Sequence, residues 1–149
     1  RRRAGGDRAR ARRVSRVLAL DYGSARCGVA VSDPTGTLAT PLDAVTRANT
    51  RRGLDRLATV VRETGAERVV VGLPLSLSGR DSAQTEEARA FAARLAQRLG
   101  EGIPVELYDE RFTTRIAQRS GGSRASEDSR AAAVLLEDWL AAHGGHAAE

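Results

Sequence analysis

The chain has 149 residues, of which 41% are hydrophobic and 29% are charged, and its formal net charge is +5. This size and composition predict one soluble globular domain with a single core. No apolar run approaches the roughly 20 residues of a membrane-spanning helix, so no membrane partner is expected. The only cysteine, Cys27, cannot form an internal disulfide. A reducing cytoplasm is therefore the expected location.

The positive charge is concentrated in an N-terminal tail of residues 1–16. This tail holds eight arginines and one aspartate, a net charge of +7, which leaves −2 for residues 17–149. A segment of this composition cannot bury enough apolar surface to fold. It is expected to be a disordered arm that either binds nucleic-acid phosphates or stays solvated. All 24 basic residues are arginine, a bias that a GC-rich genome also produces, so arginine content alone does not indicate nucleic-acid binding.

Strands and helices are predicted along residues 17–143, followed by a flexible C-terminus at 144–149. Three short strands come first, at 17–21, 26–32 and 37–40, with Pro41 ending the third. The pattern then predicts, in order, a helix at 51–64, a strand at 68–72, a helix from 81 or 82 to 99, a strand at 104–108, a helix at 113–119 and a last helix from about 126.

This order of elements predicts an α/β fold. The first three strands form an antiparallel meander, and right-handed crossovers then place the first, fourth and fifth strands parallel at the centre of a mixed sheet. Helices cover both faces of this sheet. In open α/β sheets, functional sites form at the carboxyl ends of the parallel strands.

Asp21 stands where the first apolar strand opens into a turn at Gly23. A carboxylate in such a place is costly unless it meets a cation or several donors. Its oxygens are suited to Mg²⁺ or Mn²⁺, and Gly23 would let a phosphate approach the backbone. The structural alternative is an aspartate that caps the turn by accepting nearby backbone N–H groups.

Two further acids are candidates for the same site. Glu110 follows the fifth strand, and Asp109 is its rival because neighbouring strand residues point to opposite sides. Acids before Thr113 would also favour the positive end of a helix that Thr113 caps. Asp128 lies in the first turn of the last helix, where acids are common. Two metal ions about 3.5–4 Å apart would need carboxylates from several elements.

Four segments resemble the YqgF-type proteins, which are known as pre-16S rRNA processing nucleases and as Holliday junction resolvases with an RNase H-like fold. The segments are LALDYGSARCGVAVSDP at 18–34, VVVGLP at 69–74, DERFTT at 109–114 and DSRAAAVLL at 128–136. Phe112 stands where the family has leucine. The segment between Thr114 and Asp128 is also shorter than is usual in the family, through either a deletion or residues absent from the sequence.

The resemblance implies that Asp21, Glu110 and Asp128 are the catalytic, metal-binding acids of a Mg²⁺- or Mn²⁺-dependent nuclease with two metal ions. Its substrate would be structured nucleic acid, either pre-16S rRNA or branched DNA. The residues expected to contact this substrate are Gly23, Arg111, Thr113, Thr114 and Arg115. The two arginines could instead pair with nearby acids.

Two other functions are open to the same sequence. A non-catalytic RNA-binding factor for ribosome maturation would use the arginine tail for affinity and the acids for structure. A phosphotransferase of the actin and sugar-kinase superfamily is disfavoured, because those proteins need two such domains. A two-fold homodimer would suit the symmetry of a four-way junction. Neither of the histidines, His143 and His146, is expected to hold a metal.

Overall fold

The computed structural model describes residues 16–73, 83–109 and 127–148. These residues form five strands and three helices. In chain order the elements are β1 (Val17–Asp21), β2 (Arg26–Ser32), β3 (Ala39–Thr46), α1 (Arg51–Thr64), β4 (Arg68–Leu73), α2 (Ala83–Leu99), β5 (Val105–Asp109) and α3 (Glu127–Ala148). The helix predicted over 113–119 lies outside the described residues.

The five strands form one mixed sheet in the order β3-β2-β1-β4-β5. Strand β1 pairs with β2 antiparallel and with β4 parallel, and β4 pairs with β5 parallel. The predicted meander and the predicted parallel strands are therefore confirmed. The prediction that β5 lies at the sheet centre is wrong, because β4 separates it from β1 and β5 forms one edge.

The third strand lies further along the chain than the sequence predicts. Residues 37–40 were expected to form it, with Pro41 as its end, but β3 begins at Ala39 and runs through Pro41 to Thr46. The carboxylate of Asp33 explains the late start, because it accepts the N–H groups of Thr37 and Leu38 at 2.8 and 2.9 Å and so holds a turn there. Pro41 is tolerated because β3 is an edge strand that pairs with β2 alone.

Helix α1 has the boundaries that its sequence predicts. The Thr50 hydroxyl accepts the N–H of Gly53 at 3.1 Å and caps the start of the helix. Gly65 ends it in the left-handed conformation, with φ at 75°. Leu54, Leu57 and Val61 are buried, so the predicted amphipathic face does pack on the sheet.

Side-chain alternation along the strands divides the core into two layers. On one face Leu18, Leu20, Val69 and Val71 pack with α1 and α2, including the fully buried Phe91. On the other face the main contributors are Val17, Ala19, Ala30, Val70, Leu135, Leu136 and Trp139, the last three from α3. Phe91 and Trp139 are therefore core residues.

Helix α3 continues through residue 143 to Ala148, so the segment expected to be a flexible C-terminus begins inside a helix. The ring of His143 stacks on that of Trp139, with 4.3 Å between the ring centroids. Within the described residues, none of the helices combines the length and the hydropathy that a bilayer crossing requires.

Candidate active site

Asp21 is placed by the most deeply buried part of the sheet. It is the last residue of β1, after Leu18, Ala19 and Leu20, which are all fully buried. Its own side chain is half-buried. Strands β1, β4 and β5 finish at the same end of the sheet, which is called the carboxyl edge below. Asp21 therefore projects from a rigid central strand into the edge where α/β sites form.

Gly28 brings the start of α3 against the sheet beside Asp21. Gly28 is the β2 residue in register with Asp21. A Cβ atom on Gly28 would collide with the backbone carbonyl of Asp128 and would lie 2.9 Å from the backbone nitrogen of Ser129. The first turn of α3 thus lies directly on the β2 backbone, and only glycine permits this approach.

A buried hydrogen bond fixes the same contact. The N–H of Val29 donates to the hydroxyl oxygen of Ser129 at 3.1 Å, across a hundred residues of sequence. Both Val29 and Ser129 are fully buried. This bond fixes the position of α3 along β2, and it therefore also fixes the position of Asp128 relative to the carboxyl edge.

Cys27 is buried in the core layer that α1 and α2 cover. Its thiol is fully buried, and burial is the main reason why its pKa is raised. The negative charges of Asp21 and Asp128 raise the pKa of Cys27 further. Cys27 therefore stays a neutral thiol and acts as a small core residue.

Arg26 neutralises one of the two aspartates. Its Nε lies 3.0 Å from Oδ2 of Asp128, and the two side chains are 68% and 43% exposed. An ion pair this exposed contributes little to folding stability. Its effect is on the charge of the site, because Asp128 has a cation beside it. Arg26 was not among the predicted site residues, although it stands only two residues before Gly28.

The donor set at this edge fits a hard divalent cation. Asp21 and Asp128 offer carboxylate oxygens, which Mg²⁺ and Mn²⁺ prefer, while the neighbouring sulfur of Cys27 is held protonated. Within the described part of the chain, no three acidic, histidine or cysteine side chains are grouped closely enough to hold a metal. Glu110, the third predicted ligand, lies outside the described residues.

The remaining predicted contacts fall into two groups. Arg111, Thr113, Thr114 and Arg115 lie outside the described residues, as does the N-terminal tail up to residue 15. Asp109 is described, and it ends β5 at the carboxyl edge with a half-buried side chain. Tyr108 has its pKa raised to about 12 by burial, by its hydrogen bond to Asp138 and, to a smaller degree, by the charge of Asp109.

Packing fixes both residues that follow Asp21, namely Tyr22 and Gly23. A Cβ on Gly23 would lie 2.6 Å from the carbonyl oxygen of Arg26, so the turn itself already requires glycine. Tyr22 is not available to stack on a base. Its side chain is buried, its ring stacks on Phe91 at 4.5 Å, and its hydroxyl donates to Glu87 at 3.1 Å.

A mixed sheet in the order β3-β2-β1-β4-β5, with aspartates at the end of its central strand and at the start of its last helix, defines an RNase H-like fold of the resolvase type. A solved structure titled "T. thermophilus RuvC in complex with Holliday junction substrate" has this fold. It superposes with a TM-score of 0.56 at 18% sequence identity, over 89% of this chain and 97% of that one.

Residues 15–142 match the family described as "RuvX: Holliday junction resolvase", and the chain belongs to that family. The resemblance to the YqgF-type proteins is thereby confirmed. A relative from Mycobacterium ulcerans, named "Putative pre-16S rRNA nuclease", is 47% identical over 84% of this chain and 78% of its own length. A relative of the same name from Koribacter versatilis is 43% identical over 81% of this chain and 82% of its own length.

Proposed function

We propose that this protein is a divalent-metal-dependent nuclease that hydrolyses phosphodiester bonds in structured nucleic acid. Its substrate is the end of pre-16S rRNA, with a four-way DNA junction as the second candidate. The observation that carries the proposal is the pair formed by Asp21 and Asp128, brought to the two sides of Gly28 in a chain of the RuvX family. The names of the relatives support the choice of pre-16S rRNA.

Asp21 and Asp128 would hold Mg²⁺ or Mn²⁺, together with Glu110 from the segment after β5. When bound, a pair of such ions activates water and stabilises the departing oxygen. The protein's part is to fix the carboxylates. Asp21 is fixed by the central strand, and Asp128 by the contact between α3 and Gly28.

The substrate contacts are proposed from position. Gly23 follows Asp21 directly, and Arg111, Thr113, Thr114 and Arg115 follow the end of β5 in sequence. Arginine guanidinium groups and threonine hydroxyls in these places would bind phosphate oxygens and set the scissile bond above the aspartates. We also propose residues 17–143 as the nuclease domain, with the tail of residues 1–16 as a separate arm.

Cleavage of a precursor rRNA end and of a four-way DNA junction tests the proposal. Wild type is compared with Asp21→Asn and Asp128→Asn, and with Glu63→Gln as a matched loss of one negative charge. Glu63 is exposed in the last turn of α1, at the opposite end of the sheet. We expect each aspartate variant to lose at least about 100-fold in rate, and Glu63→Gln to keep the wild-type rate.

A second measurement is independent of turnover. Calorimetric titration with Mn²⁺ is expected to give weaker binding in both aspartate variants and unchanged binding in Glu63→Gln. If Asp21→Asn cleaves at the wild-type rate in a preparation free of other nucleases, the proposed mechanism is wrong. Metal-independent RNA binding without cleavage by the wild type would indicate the non-catalytic maturation factor instead.

A further inference from the structure

The helices on the two faces of the sheet carry opposite charge. Helices α1 and α2 together hold seven arginines and four acids, a net charge of +3. Helix α3 on the other face holds one arginine and four acids, a net charge of −3 with neutral histidine. A polyanion at the carboxyl edge is therefore attracted towards the face of α1 and α2 and repelled from the face of α3.

The positive face contains a concave site, which we call the arginine groove. It has a volume of about 490 Å³ and is lined by Arg51, Leu54, Asp55, Arg94 and Arg98. Arg51 is the first residue of α1, where the helix dipole adds further positive potential. The groove is thus built by two helices and not by one exposed run of charge.

Most of the positive charge in the groove is uncompensated. Arg98 pairs with Asp55, with 2.8 Å between Nε and Oδ1. Arg94 instead donates to two neutral oxygens of Asn49, the side-chain Oδ1 at 2.7 Å and the carbonyl at 3.1 Å. Among the described residues, no carboxylate pairs with Arg51 or Arg94. These two guanidinium groups keep their charge for a ligand, and Asn49 holds one of them in place.

The groove begins beside the carboxyl edge, because α1 follows β3 and the last residue of β3 pairs with the first residue of β2. Asn49, which holds Arg94, also lies close to the Tyr22 side chain, where it opposes the rise in the Tyr22 pKa that burial produces. Tyr22 directly follows Asp21 in the chain. A strand of nucleic acid with a phosphate at Asp21 can therefore continue over this edge towards the groove.

We propose that the arginine groove is a second phosphate-binding site, which holds the backbone of the substrate away from the scissile bond. Arg51 and Arg94 bind the phosphate oxygens, for which the planar guanidinium group is well suited. This inference rests on the proposed function, since the nucleic acid at the aspartates supplies these phosphates. Backbone contacts fix orientation and affinity without reading sequence, so the groove contributes the same to RNA and to DNA.

The test measures binding and not cleavage. Asp21→Asn protein is titrated by fluorescence anisotropy into a labelled precursor rRNA end and a labelled four-way DNA junction at several salt concentrations. The groove variant carries Arg51→Gln and Arg94→Gln in addition. The matched control carries Arg52→Gln and Arg56→Gln, which remove two exposed charges of α1 that do not line the groove.

We expect the groove variant to bind both nucleic acids at least about tenfold more weakly, and the control about twofold more weakly at most. Two lost phosphate contacts should also make the slope of log affinity against log salt shallower by about 2 on DNA. Equal weakening in both double variants would mean general charge attraction and would overturn the proposal. So would unchanged binding by the groove variant, or no binding by the parent protein.

Loss of the Arg94 contact with Asn49 could disturb folding, so the single variant Arg51→Gln is measured as well. Arg51 is exposed and starts its helix, and its replacement is expected to lower affinity about threefold and the DNA salt slope by about 1. A wild-type affinity for Arg51→Gln in a protein with wild-type circular dichroism would also count against the groove. The proposed nuclease function is judged separately, by cleavage in the aspartate variants.

Discussion

Nε of Arg26 lies 3.0 Å from Oδ2 of Asp128, so the first residue of β2 holds the first turn of α3 from the side. The guanidinium group forms an ion pair with a carboxylate that we propose as a metal ligand. A divalent ion must therefore compete with Arg26 for Asp128. Because both side chains are largely exposed, Arg26 can release the carboxylate at little cost in stability.

Replacing Arg26 with glutamine should tighten metal binding. We expect Mn²⁺ to bind about threefold to tenfold more tightly to Arg26→Gln in a calorimetric titration, since removal of an adjacent cation lowers the repulsion that the ion meets. Arg26→Lys keeps the charge and should keep the wild-type affinity. The free energy of unfolding should change by less than about 1 kcal/mol. Weaker Mn²⁺ binding in Arg26→Gln would contradict this competition.

A methyl group at Gly28 should separate α3 from the sheet. The new Cβ would collide with the carbonyl of Asp128, and neither backbone can move without breaking the ladder or the helix. We expect Gly28→Ala to lower the free energy of unfolding by about 1–3 kcal/mol in urea, and to lower the cleavage rate by moving Asp128. Gly102→Ala is the control, because nothing lies within 4 Å of a Cβ there. Equal stability of the two variants would mean that α3 does not rest on Gly28.

Removing the Ser129 hydroxyl should leave a buried donor without a partner. The N–H of Val29 donates to this oxygen in the core, so Ser129→Ala is expected to cost about 1–3 kcal/mol. Hydrogen exchange at the Val29 amide should become faster by more than the loss in global stability explains. Ser129→Thr keeps the hydroxyl and serves as the control for that amide. Unchanged exchange at Val29 in Ser129→Ala would show that the bond does not fix α3.

Asp33 should make the stability of the turn before β3 dependent on pH. Hydrogen bonds from the Thr35 hydroxyl, the Leu38 N–H and Thr37 hold the pKa of Asp33 below its ordinary value. Because the pKa is lower in the folded state, this stabilisation is complete above about pH 4 and is lost as the pH falls through the folded-state pKa. The difference in Tm between wild type and Asp33→Ala should therefore be largest near pH 7 and shrink below pH 4.

An internal control is available for this pH dependence. Asp33→Asn can still accept the two backbone N–H groups but has no charge to lose. The difference in Tm between Asp33→Asn and Asp33→Ala should therefore be the same at every pH. A difference between wild type and Asp33→Ala that does not depend on pH would show that the carboxylate does not stabilise the turn.

Local signals were sufficient for the elements that build the carboxyl edge. A continuous apolar run predicted β1, and helical periodicity followed by Gly65 predicted α1, because these signals act within a few residues. The predicted start of β3 was wrong, and the reason is also a local contact. The Asp33 carboxylate holds Thr37 and Leu38 in a turn, and the expected stop at Pro41 does not apply to an edge strand.

The assembly of the site depended on contacts that no local pattern contains. Asp21 was recognisable by its place at the end of an apolar strand, but its closeness to Asp128 depends on the absence of a side chain at Gly28. The ion pair between Arg26 and Asp128 joins residues that are far apart in sequence. Tyr22 looked exposed because it stands in a turn, and only the packing of α2 explains why Phe91 covers its ring.

The proline in β3 also limits how copies of this chain can associate. Pro41 has no amide hydrogen, so a neighbouring molecule cannot extend the sheet by an unbroken hydrogen-bonded ladder along that edge. If the protein forms a two-fold dimer, its interface is therefore not a continuous sheet made by pairing β3 with β3 of the second copy. The same interruption disfavours edge-to-edge aggregation of the sheets at high concentration.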